Sequence, residues 1–135
     1  GDARAFSQDT NTMIEKNMRQ LVEGISSSFG VSAEVKYETT CPVTFNQPKQ
    51  AEAATKAAIT LLGEDKCNGD IDPRPFSEDF SIMSENTPGC FVLMGNGTSG
   101  SYGRPLHSAD YDFNDELLVK GSSYWVELAE QQLKL

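Results

Sequence analysis

One histidine is available for chemistry in this sequence, His107, and it stands in the stretch PLHSADYDFND, between a Pro-Leu pair and the carboxylates of Asp110, Asp112 and Asp115. A lone histidine serves as a core residue, a helix-end cation, a surface residue or a metal ligand, and carboxylates beside an imidazole can fix its tautomer and raise its basicity. A catalytic zinc ion takes about three protein ligands from His, Glu, Asp or Cys. Asp110 and Asp112 are close enough to ligate with His107, yet acids before a helix also serve as N-terminal caps. The residues alone leave both readings open.

Other chemistries are poorly served. GNGTSG is rich in glycine but lacks the Lys-Ser/Thr ending of a phosphate loop. No GxSxG elbow is present for a serine nucleophile. Cys90 lies within the apolar run CFVLMG, where a thiol is expected to be buried and inert. The cysteines Cys41, Cys67 and Cys90 are odd in number and widely spaced, which suits free thiols in a reducing, cytoplasmic compartment better than a disulfide framework.

The balance of charge narrows the partners. Acidic residues outnumber basic ones 20 to 11, with no basic cluster to follow a phosphate backbone, so no nucleic-acid partner is expected. No run of about 18 apolar residues is present, so no membrane partner is expected either. With 38% hydrophobic and 23% charged residues, the chain has the composition of a folded globular protein.

The elements that must carry His107 follow from periodicity. Ile14, Met18, Leu21, Val22, Ile25 and Phe29 recur at steps of three and four, which predicts a helix over 11–29 with Thr12 and Glu15 as a capping box and Gly30 as the stop. VSAEVKY alternates as a half-buried strand does, and with GDARAF before the helix it reads strand, helix, strand. A second helix is expected from Lys49 to Leu62, ending at Gly63. Ser77 is a candidate N-cap for SEDFSIMSENTPG, and CFVLMG reads as a buried strand. GNGTSGSYGRP reads as a long flexible loop. The last helix is expected to begin at Asn114 or Asp115 and to bury Leu118, Trp125, Leu128 and Leu133. The sum is an α/β chain.

Taken together, GDARAF, IEKNMRQLVEGISSSFG, SEDFSIMSENTPGCFVLMGNG and LHSADYDFNDELLVKGSSYWVELAE resemble the C-terminal portion of the zinc-dependent N-acyl-amino-acid amidohydrolases. These form the hippurate hydrolase and auxin-conjugate hydrolase branch of the aminoacylase and glutamate carboxypeptidase metallopeptidases. The resemblance implies an α+β lid half over 1–46, which often pairs as a homo-oligomer, and part of a catalytic α/β domain of zinc-peptidase-like fold over 47–135. It also implies two divalent metal ions, zinc, manganese or cobalt, and water attacking the amide of an N-acyl amino acid or dipeptide.

Residue by residue, the resemblance makes His107 a metal ligand and Arg4, Glu78 and Asn96 substrate-binding residues. An exposed strand position would also explain Arg4, and capping and turn formation would also explain Glu78 and Asn96. The general-base Glu and the remaining ligands are expected in an N-terminal part of the same protein that these residues do not include, because a second histidine is absent. The chain alone is therefore expected to bind no catalytic metal and to be inactive. The alternative expectation is a non-catalytic oligomerisation module.

Overall fold

The computed structural model describes residues 1–133. These sort into two compact units, Gly1–Phe45 with Ile71–Gly89, and Asn46–Asp70 with Cys90–Leu135.

The first unit is organised along helix α1 (Gln8–Ser28). Ser7, not Thr12, caps it: the Ser7 Oγ accepts from the Thr10 amide, and Asp9 puts a negative charge against the positive end of the helix dipole. The Thr12 hydroxyl instead donates back to the Gln8 carbonyl. At the other end, Gly30 adopts φ 66°, and the amides of Gly30 and Val31 close onto the carbonyls of Ser27 and Ser26, the paired bonds of a Schellman cap. The chain then runs back along its own helix. Arg19 donates to the Val35 carbonyl at 2.8 Å while pairing with Glu15 one turn earlier at 2.7 Å, and the Tyr37 hydroxyl donates to Asn11. An open groove of about 530 Å³, bordered by Arg19, Val22, Ser26, Val31 and Val35, lies between helix and returning segment.

The expected α/β class, an α+β lid half with part of an α/β catalytic domain, is not what forms: the described residues contain helices and no strand. The physical reason is visible in VSAEVKY. Its alternation does set direction, with Val35 and Tyr37 half-buried against α1 while Lys36 and Glu38 are exposed. A strand, however, is defined by the ladder it makes with a neighbour, and no other extended segment pairs with this one. GDARAF and CFVLMG are extended and unladdered in the same way, and within CFVLMG Val92, Leu93 and Met94 are about half exposed rather than buried.

Helix α1 likewise contains no buried residue; Leu21 is 63% and Ile25 59% exposed. The short helix α3 (Phe80–Ser84) follows Asp79, not Ser77, with the buried Ser81 hydroxyl donating to the Glu78 carbonyl.

The second unit has a small core. Helix α2 (Pro48–Leu62) begins with Pro48, whose missing N–H costs nothing in the first turn, and ends at Gly63. It packs on helix α4 (Glu116–Leu133), with Ala54 and Ala57 buried on one helix and Tyr124 on the other. Small residues on α2 let the helix axes approach, and the Gln131 amide reaches the Thr60 hydroxyl at 3.3 Å. Leu118 and Trp125, expected inside, are 60% and 66% exposed on the far face of α4. Before α2, Asn46 both donates to the Phe91 carbonyl and accepts from the Phe91 amide, filling the place a neighbouring strand would take beside CFVLMG.

Candidate functional site

His107 is carried by a folded loop, not a free one. After CFVLMG the chain turns through a 3-10 segment, Gly100–Gly103, closed by the Gly103 amide on the Ser99 carbonyl and the Arg104 amide on the Ser101 carbonyl. Gly103 is required here by contact: a Cβ at that position would sit 2.7 Å from the backbone carbon of Thr98. Four residues later the Ser108 amide donates to the Pro105 carbonyl, making a tight turn with Leu106 and His107 at its centre.

His107 takes φ 68° in that turn, the sole left-handed residue other than glycine among those described. Its place, third in a turn with positive φ, is one that ordinarily calls for glycine or asparagine. Histidine is tolerated there more readily than most side chains, but the geometry persists only where the surroundings hold it. The imidazole is exposed. On either side of it Arg104 and Asp110 form an ion pair at 3.1 Å, which closes the base of the turn. The next residue, Ser108, has a buried hydroxyl oxygen with no hydrogen-bond partner.

Asn96 is the junction that ties this loop to the start of α4. Its amide nitrogen donates to the carbonyls of Tyr102 (3.0 Å) and Asp112 (2.8 Å), and its side-chain oxygen accepts from the Asn114 amide at 2.8 Å. Asn114 answers by donating its own side-chain amide to the Asn96 carbonyl, while its oxygen caps α4 at the Glu116 amide. Both protons and the oxygen of the Asn96 side chain are thus engaged by backbone or by Asn114. Asn96 and His107 lie in the second unit. Elsewhere in the second unit, burial pushes the Cys90 thiol above its ordinary pKa, and burial followed by the nearby Cys90 does the same to the Tyr124 phenol.

Arg4 and Glu78 belong to the first unit. The Arg4 guanidinium pairs with Asp2 at 2.9 Å and donates to the Pro75 carbonyl at 3.2 Å, which draws the start of the chain onto the segment before α3. Glu78 is half-buried, and its carbonyl, not its carboxylate, holds Ser81. Two residues of the His107 loop escaped the sequence reading, Ser108 and the Arg104 partner of Asp110. Their signal was position within four residues of the histidine, which gives no clue to burial or pairing.

Among the described residues no three His, Cys, Asp or Glu side chains converge to hold a metal ion. His107 can offer one ligand, and that does not make a site within these residues.

The sequence of the chain matches the model of the peptidase family M20/M25/M40 over residues 5–131. It belongs to that family. Peptidases of this family are generally metal-dependent hydrolases. The chain is 29% identical over 131 residues to a hippurate hydrolase of Campylobacter jejuni, a match that covers 97% of this chain and 33% of the relative. It is 32% identical over 130 residues to an N-acetylcysteine deacetylase of Bacillus subtilis, covering 96% of this chain and 32% of that protein. A putatively named amidohydrolase, YhaA of Bacillus subtilis, is 30% identical over 95 residues, covering 70% of this chain and 24% of that protein. The chain thus spans about a third of the length of the hippurate hydrolase and the deacetylase. No solved structure matches it significantly. Among the described residues of this M20 domain, no helix is long and apolar enough to cross a membrane.

Proposed function

We propose that the chain is the C-terminal part of a metal-dependent amidohydrolase that cleaves the amide of N-acyl amino acids, with His107 as one metal ligand. The observation that carries the reading is the family match across residues 5–131, in which the chain's one histidine occupies a strained, exposed turn. Strain of this kind is kept where a side chain must be presented in a direction that a relaxed turn does not give. When bound, the metal ions, zinc, manganese or cobalt, supply an activated water and polarise the amide carbonyl. The other ligands and the general-base Glu come from residues outside this sequence. Arg4 offers a guanidinium fork for the substrate's carboxylate, and Glu78 lines the same substrate. The reduced cysteines suit a cytoplasmic setting.

The test is His107→Gly in a longer protein carrying this chain. Glycine relieves the left-handed backbone, so thermal stability is expected to hold or rise by about 1 kcal/mol. Hydrolysis of hippurate-like amides should fall by at least about 100-fold, with loss of bound zinc. The 135 residues alone, given zinc, manganese or cobalt, should show no turnover; robust turnover would sink the claim that ligands lie outside them.

A second reading, that the chain is an oligomerisation module pairing with a second copy, is favoured by the bare face of α1 and the unladdered segment beside it. Light scattering should then give a dimer or larger, and Leu21→Glu with Ile25→Glu should return it to monomer. A monomeric parent chain would remove this reading.

A further inference from the structure

We infer that Asn96 is a positioning residue that acts on the site through His107, not a group that touches substrate. The inference deepens the reading of His107 as a ligand and takes its functional meaning from it, but its geometry is testable without any metal.

The argument is one of hydrogen-bonding capacity. A primary amide has two donor protons, and Asn96 has given both to backbone carbonyls, Tyr102 on the approach to the histidine turn and Asp112 on the way out. Its oxygen is taken by the Asn114 amide at the start of α4. A substrate acceptor could be bound by the amide nitrogen only after one of those loop-closing bonds broke, and a substrate donor would find only the second lone pair of an oxygen already held by the Asn114 amide. The side chain therefore costs more to redirect than to leave alone.

What the three bonds accomplish is closure. Residues 102 and 112 flank the nine-residue excursion that carries His107, and one side chain grips both ends and anchors them to the start of a helix. Inside that excursion the turn at Pro105–Ser108 and the Arg104–Asp110 pair complete the support. A left-handed φ at a side chain other than glycine persists only when the surrounding structure over-determines it. The exposed imidazole contributes no bond of its own to that end, so the constraint must come from the loop's ends. Among the described residues Asn96 is the one whose side chain bonds to both Tyr102 and Asp112, at the two ends of the loop.

The experiment uses the 135-residue chain, with no ligand. Because the chain has a single histidine, its Cε1 proton gives one unambiguous ring signal in NMR. Asn96→Ala should move that signal to the unstructured position and speed hydrogen exchange of the Gly103, Ser108, Tyr111 and Asn114 amides by about tenfold or more. Asn96→Asp, nearly the same shape, retains the acceptor for Asn114 but loses both donors, and serves if the alanine variant does not fold. It should leave Asn114 protected and free the other three amides. Ala57→Gly, which loosens α2 without touching the loop, should leave the histidine signal in place. Unchanged loop exchange and an unchanged histidine signal in the Asn96 variants, or equal disturbance by Ala57→Gly, would overturn the inference. The ligand reading is tested separately, by the zinc bound to a longer protein with and without His107→Gly, and its failure there leaves the loop result to be judged by itself.

Discussion

The two units of this chain solve the same problem with different means. In the second, α2 and α4 remove Ala54, Ala57 and Tyr124 from water, while the Asn46 side chain satisfies the backbone of Phe91 in the extended run and the Asn96 side chain ties the backbone of the loop after it. In the first, α1 is longer yet buries nothing, and is held by its end caps and by Arg19 and Asn11 gripping the segment that returns alongside it. Burial contributes roughly 25 cal/mol per Å² of apolar surface, whereas exposed polar ties are worth about 1 kcal/mol or less each. The second unit should therefore open cooperatively and the first should fray. His107 follows the same division, since it is built on the unit that has a core.

Tyr124→Ala breaks this comparison most severely. It removes the largest buried side chain of the α2/α4 contact, and losing a buried aromatic typically costs about 3–5 kcal/mol, with the lower end expected in so small a core. Hydrogen exchange should show α2 and α4 amides opening together while the amides of α1 keep their wild-type rates. If α1 amides accelerated equally, the two units would be one cooperative structure.

Ser7→Ala probes the other side. The Ser7 hydroxyl satisfies the Thr10 amide, and loss of such a cap costs about 1 kcal/mol. In a helix without buried residues there is little else to hold the first turn, so exchange should rise about fivefold at residues 9–12 and leave the second unit untouched. An effect spread evenly along α1 would mean that its exposed face is covered in solution, as the oligomer reading requires.

How far the sequence foretold this depended on the range of the cause. Helices came through because their signals are local: α2 was expected from Lys49 and begins at Pro48, and Gly30 and Gly63 stop their helices where a stop was expected. The start of α1 was missed because a serine outside the apolar repeat caps it. Strands were overread because alternation encodes which side faces in, while a ladder depends on a neighbour that no local pattern can supply. Burial of Leu118 and Trp125 was overread for the same reason, since an apolar stripe does not say whether anything covers it. At the site, His107 stood out by being alone. Its backbone conformation and the Asn96 grip were illegible, because a sequence does not record the sign of φ or which carbonyls a side-chain amide will meet.

Alkaline pH gives the mildest distinction, and it acts through the second unit. Burial raises the Cys90 pKa, and burial with Cys90 nearby raises that of Tyr124. For both groups the folded state holds its proton more tightly than the unfolded state does. The stability this gives is complete below the unfolded values, about 8.5 for cysteine and 10 for tyrosine, and is lost as pH rises through the raised folded values. The near-ultraviolet dichroism of the Tyr124–Trp125 pair, whose rings meet edge to face at 5.4 Å, should therefore melt at progressively lower temperature from about pH 8.5 upward. Cys90→Ala removes the thiol from the balance and with it the nearby charge that opposes tyrosinate formation. The decline in that variant should begin later, nearer the tyrosine range, and a profile identical to wild type would show that Cys90 does not couple to the α2/α4 core.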